Sequence, residues 1–186
     1  MANRYVLKFT KNEYAKYTSH LDMLRFFKRA FRKNGISLRY SQGFNPHPKM
    51  SFAQPLSLGY SSSFELLEFE TETKYEAGQI YEMLCGEMPE GLKIEWVIEF
   101  EGNVKSLAAA ADSAEYEVRL PFKCEETVLG DMAARYLAQN EIITLKRRKK
   151  DKKMVSADIK NMIRRFEAKS DAEMTILDME LDCGSI

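Results

Sequence analysis

The chain has 186 residues, 45% hydrophobic and 30% charged, with a formal net charge of zero. That suits one large domain or two small ones with modest cores, at an ordinary globular composition. The opening MANRYVLKFTKNEYAKY has no apolar stretch, no segment approaches membrane-spanning length, and the three cysteines (85, 124 and 183) form no C-x-x-C pair. A secretory leader, a membrane partner, a zinc ribbon and a cluster site are therefore not expected, and the predicted location is cytoplasmic.

Residues 4–10 alternate and are rich in β-formers, which predicts a first strand. Ser19 is a good N-cap, with Asp22 three residues on, and the stripe Leu21, Leu24, Phe27, Ala30, Phe31 predicts a helix to Asn34-Gly35. A second strand starts over residues 36–40, is interrupted by an Asn/Pro-rich segment, and continues briefly over residues 50–55. Residues 64–73 read as strand, 75–88 as helix, and 92–98 as strand after the Pro89-Glu90-Gly91 break. The order β-α-β-β-α-β is the ferredoxin-like arrangement.

Residues 101–114 are expected to link this first domain, 1–100, to a second over 115–186. There the pattern gives a strand at 116–121, a helix at 125–139, strands at 142–147 and 154–159, a helical turn at 161–166 and a closing strand at 174–181. The predicted fold is thus α+β, two tandem ferredoxin-like domains with the second degraded.

Charge is unevenly spread on this neutral chain. Residues 19–50 hold seven Lys or Arg against Asp22 alone, residues 61–104 carry a net −9, and residues 144–165 a net +8. Such asymmetry bears on partners more than on fold. The helix cations Arg25, Arg29 and Arg32 and the hairpin tip Arg147, Arg148, Lys149 and Lys150 are candidates for phosphate contacts. Between them lies a turn-rich loop in which Ser41, Gln42, Phe44, Asn45, His47 and Lys49 offer hydroxyl, amide, imidazole, ammonium and aromatic groups. With Ser19 and His20 at the helix start, this loop is expected to form one anion-binding pocket, with His20, Ser41, Asn45 and His47 facing it.

Acid–base chemistry has four candidates near one motif: His20, His47, Asp22 and Glu65. No nucleophile accompanies them, and no H-x-x-x-H or similar spacing supports a metal, so neither a metal nor a cofactor is expected.

The segments Ser19-His20-Leu21-Asp22, Ser41-Gln42-Gly43-Phe44-Asn45-Pro46-His47-Pro48-Lys49, Ser51-Phe52-Ala53, Pro55-Leu56 and Leu58-Gly59, with Arg29 and Glu65, resemble the signature of the radical SAM-linked protein family. In the second half, Asp158-Ile159 and Cys183-Gly184-Ser185-Ile186 are similar to it as well. That is a bacterial domain encoded beside, or fused to, a B12-binding-type radical SAM protein. The resemblance implies a radical SAM protein as partner, and a second domain truncated at its C-terminus, since members continue past the Gly-Ser segment. Cys85, Cys124 and Cys183 are too far apart to ligate the cluster of such an enzyme, which would belong to the partner. More loosely, the first half is similar to the RNA-binding repeats of CRISPR repeat-processing ribonucleases, which are tandem ferredoxin-like proteins.

The functional expectation is an RNA-binding accessory module, without catalysis of its own, that presents a tRNA or rRNA to a radical SAM partner. Two alternatives stand beside it. One is an RNA-processing or RNA-modifying enzyme using the His20/His47 region, and the other is a protein–protein adaptor using the acidic 61–104 face.

Overall fold

The computed structural model describes residues 3–100, 106–148 and 150–183. The chain divides into two compact units, Met1–Ala110 and Ala111–Ile186. Both are mixed α+β with antiparallel sheets.

In the first unit β1 (Asn3–Lys11) runs into a 3-10 turn (Glu13–Tyr17) and helix α1 (His20–Lys33). Strands β2 (Met50–Phe52) and β3 (Ser62–Thr71), helix α2 (Ala77–Cys85) and strand β4 (Leu92–Glu99) follow. The sheet order is β2-β3-β1-β4. One face of β1 offers Tyr5, Leu7 and Phe9, which join Phe27 and Phe31 of α1, Leu67 and Phe69 of β3, and Ile80 and Leu84 of α2 in a single core. Among its aromatic rings Phe9 packs edge-on to Phe27 at 5.2 Å, Phe31 lies tilted on Phe69 at 4.6 Å, and Tyr5 stacks on Phe69 at 5.5 Å between centres.

The buried stripe of α1 is Met23, Phe27, Ala30 and Phe31, while Leu21 is 62% exposed. Met23 therefore takes the place that Leu21 was expected to hold, because it lies one helical repeat before Phe27 and Ala30. On the other side of β1, Arg4 pairs with Glu68 at 2.6 Å, and the second Glu68 oxygen accepts the N–H of Leu107 at 2.9 Å. That bond ties the short helix α3 (Leu107–Ala110) to β3.

The second unit contains β5 (Ser113–Leu120), helix α4 (Glu126–Leu137), and strands β6 (Ile143–Arg147), β7 (Met154–Asp158), β8 (Ile163–Asp171) and β9 (Met174–Asp182). A three-stranded sheet has the order β5-β9-β8, and β6-β7 form a separate hairpin. The helical turn expected over 161–166 is a 3-10 turn, Lys160–Met162, that runs directly into β8. Residues 163–171 alternate enough to pair with β9 across the Ala172-Glu173 turn, where Ala172 takes a φ of 47°. Buried apolar groups are few here, chiefly Leu129, Ile142 and Ile176. Among the described residues no helix is long and apolar enough to cross a membrane.

Candidate functional site

Helix α1 begins as its sequence requires. The Ser19 hydroxyl accepts the Asp22 N–H at 3.2 Å and donates to the Asp22 carboxylate at 2.7 Å. Asp22 in turn accepts from Arg25 at 2.8 Å, and these two bonds hold its carboxyl below the ordinary aspartate range. Asp22 thus ties the cap to the first turn and spends Arg25 within the helix.

The loop with the Gly-Phe-Asn-Pro-His-Pro run is an excursion from a sheet edge. The Arg39 N–H donates to the Glu70 carbonyl at 2.8 Å, and the Glu70 N–H donates to the Lys49 carbonyl at 2.9 Å. Residues 40–48 therefore leave and re-enter the sheet opposite one β3 residue. Within the excursion the Ser41 N–H donates to the His47 carbonyl at 2.8 Å, and the His47 N–H donates to the Ser41 hydroxyl at 3.0 Å. The Glu70 carboxylate also pairs with Arg39 at 3.4 Å and Lys49 at 3.1 Å. Lys49 is consequently held by Glu70. Phe44 stands fully exposed beside Gly43, whose φ of 139° is open to glycine and strained for other residues. Asn45 and His47 are exposed as well.

Two clefts flank the base of this excursion. One, of about 510 Å³, is lined by Lys28, Arg29 and Arg32 of α1 and by Ser37, Tyr40 and Glu72. The other, of about 610 Å³, is lined by Arg39, Tyr40, Ser41, Gln42, Pro46 and Glu72. Tyr40 and Glu72 line both. The Lys28 ammonium lies 5.6 Å from the centre of the Tyr40 ring. Among the described residues Lys28, Arg29, Arg32 and Glu72 form no ion pair, whereas Arg25 and Lys33 pair with Asp22 and Glu87. Three cations without an acid and one acid without a cation share a cleft, which leaves all four available to a ligand.

His20 lies elsewhere. Its ring packs edge-on to Phe52 at 5.3 Å and lines a crevice of about 10 Å³ with Phe9, Lys11, Met23, Gln54, Leu56 and Glu65. This crevice has no lining residue in common with the cleft of Ser41 and Gln42, and neither His47 nor Asn45 lines any of the three cavities. The helix start and the loop motif thus face separate cavities.

Lys11 is only 2% exposed, and its ammonium donates to the Thr18 carbonyl at 2.8 Å. Burial pushes Lys11 down and Glu65 up, each partly offset by the other's charge. Lys11 continues the inward side of β1 in step with Tyr5, Leu7 and Phe9, and it escapes notice in the sequence because a lysine at a strand's end reads as solvent-exposed.

At the basic tip of the β6-β7 hairpin, Arg148 is bound to Asp151 at 3.1 Å, and Arg147 donates to the Lys152 carbonyl at 3.2 Å. Lys150 is exposed, and Lys149 lies outside the described residues. At the other end of the hairpin, Asp158 accepts the N–H groups of Lys160 and Ile142, both at 2.9 Å, and these bonds hold its carboxyl below the usual range. The three cysteines are free and half-buried, and among the described residues no three of His, Cys, Asp and Glu converge to hold a metal.

A search of the curated proteins finds no match to this chain. The bacterial family described as "Uncharacterized protein conserved in bacteria (DUF2344)" matches residues 4–186, and the chain belongs to that family.

Proposed function

We propose that this chain is an RNA-binding accessory module that presents a tRNA or rRNA to a radical SAM partner. The observation that carries the RNA reading is the Lys28, Arg29 and Arg32 face, free of ion pairs among the described residues and continuous through Tyr40 with the exposed loop that bears Phe44. Unpaired cations suit phosphates and exposed rings suit unstacked bases, the combination by which single strands are held. The partner assignment rests on the motif resemblance over the same segments.

A ferredoxin-like reading of the first unit draws support from its strand order β2-β3-β1-β4. Its extension to a degraded second copy draws on the β5-β9 and β6-β7 pairings, with β8 standing where a second helix would. Related sheets and their loops are common RNA-binding platforms.

Both alternatives are weaker on specific grounds. The crevice of Lys11, His20 and Glu65, at about 10 Å³, has room for one water and not for a nucleotide. Five acids of the 61–104 stretch are paired within their own unit, Glu68 by Arg4, Glu70 by Arg39 and Lys49, Glu87 by Lys33, Glu95 by Lys93 and Glu99 by Lys74, so its net charge overstates the acidic face.

Ultraviolet crosslinking of the full chain in cells, followed by peptide mapping, tests the proposal. Ribonucleotide adducts on Tyr40 or Phe44 are expected. Absence of RNA adducts, or adducts confined to the β6-β7 tip, would overturn the assignment to this face.

A further inference from the structure

We infer that Glu72 makes the Tyr40 cleft selective for guanine within a single RNA strand, an assignment that rests on the RNA-binding reading above. Glu72 is an exposed acid in the cleft of Lys28, Arg29 and Arg32, and among the described residues its carboxylate has no hydrogen-bond or ion-pair partner. Its main chain is fixed, because the Glu72 N–H donates to the Ser37 carbonyl at 2.9 Å where β3 ends. A carboxylate there opposes phosphate binding by like-charge repulsion, so in a purely anion-binding cleft it would be a liability. It becomes useful if the group set against it is a base edge and not a phosphate.

Hydrogen-bonding capacity selects which base. An ionised carboxylate is an acceptor only, with two oxygens side by side. Guanine presents two adjacent donors on its Watson–Crick edge, N1–H and the N2 amino group. Cytosine and adenine each present one amino group next to an acceptor nitrogen, and uracil a single N–H between two carbonyls. Guanine alone meets both oxygens without placing a lone pair against them. Tyr40, 38% exposed and lining both clefts with Glu72, supplies a ring for that base to stack on. The cations of α1 then hold the flanking phosphates. Glu72 is thus a specificity-determining residue whose two carboxylate oxygens are both met by the base's two donors.

The test uses the full chain and fluorescently labelled oligouridylates of about ten nucleotides, the footprint of a single-strand site. Each carries one central G, inosine, A, C or U, and binding is read by anisotropy. Inosine lacks only the N2 amino group of guanine. The G-containing strand is expected to bind about tenfold tighter than the inosine strand, within the range for a bidentate contact. Glu72→Gln, which replaces one acceptor by a donor, should abolish that preference while plain oligouridylate binds as tightly or tighter. Free GMP should compete far less well than the strand. Equal affinity for G and inosine strands, or an undiminished G preference in Glu72→Gln, overturns the assignment while RNA binding stands. GMP competing as well as the strand assigns the site to a free nucleotide and overturns the strand. Failure of every oligonucleotide to bind overturns the RNA reading itself.

Discussion

Lys49 and Glu70 are joined twice, by main chain and by side chain: the Glu70 N–H donates to the Lys49 carbonyl at 2.9 Å, and the Lys49 ammonium lies 3.1 Å from the Glu70 carboxylate. Arg39 meets the same glutamate from the other end of the loop, at 3.4 Å. The residues between are therefore presented from a clamped base. Glu70→Ala should remove the side-chain half of the clamp and leave the sheet. Because Arg39 and Lys49 are partly exposed, the loss of global stability should be under about 1 kcal/mol. The larger effect is expected in local order: faster tryptic cleavage after Arg39 and Lys49, and RNA affinity several-fold weaker. Unchanged proteolysis would show that the main-chain bonds hold the loop alone.

Gly91 is the position where a single methyl group should cost most. Its φ is +84°, and a Cβ there would lie 2.4 Å from the Asn12 carbonyl oxygen and 3.1 Å from the Ala15 Cβ. The Asn12 N–H donates to the Gly91 carbonyl at 2.8 Å, so the two segments cannot part without losing that bond. Gly91→Ala should destabilise by roughly 2–3 kcal/mol, combining strained φ with backbone displacement. Gly86→Ala is the control, since a Cβ there meets nothing within 4 Å and the backbone is helical. Urea midpoints that move equally for the two variants would contradict this.

Glu65 should make stability depend on pH in the acid range. Burial raises its carboxyl, against a smaller lowering by Ser62 and Lys11. The folded state then keeps the proton longer than the unfolded state does. Its contribution is full below the unfolded value of about 4.3 and is lost as pH rises through the folded value. Burial lowers Lys11, so its contribution is full only above the unfolded lysine value of about 10.4 and is lost as pH falls through the folded one. Glu65→Gln should remove the decline in urea midpoint that begins as pH rises above the unfolded value of about 4.3. An identical decline in both proteins would assign it to another group.

Much of this was legible from local signals. The Ser19 cap, the Asn34-Gly35 stop, the strand alternation of β1, β3 and β4, and the excursion between Arg39 and Lys49 are all written within a few residues of where they act. What was not legible depends on partners far along the chain. That Arg25 is spent on Asp22, while Arg29 and Arg32 have no ion pair among the described residues, is decided by side-chain reach on the folded helix. That Glu68, Glu70 and Glu87 are neutralised depends on Arg4, Lys33, Arg39 and Lys49, brought in from other parts of the chain. The inward side chain of Lys11 depends on the Thr18 carbonyl, which the 3-10 turn after β1 brings to its ammonium. Glu72 gave no signal at all, because its neighbours Tyr40, Arg29 and Arg32 meet it only through the β3 edge. Residues 161–166 misled beyond Met162 because a short run of mixed polarity fits a helical turn and a half-exposed strand equally well.

The ion pairing of α1 sets up the most direct measurement. RNA affinity of the full chain should be measured across a salt series for the native protein, for Lys28→Glu/Arg29→Glu/Arg32→Glu, and for Arg25→Glu, with circular dichroism to confirm folding. Each phosphate neutralised on a single strand contributes about −0.7 to the slope of log affinity against log salt. The triple variant should therefore lose about two units of slope and at least tenfold in affinity at low salt. Arg25→Glu, whose native side chain is already bound to Asp22, should stay close to the native protein. A native affinity that does not fall with salt, or a triple variant that binds as the native protein does, would contradict the claim that this face holds RNA.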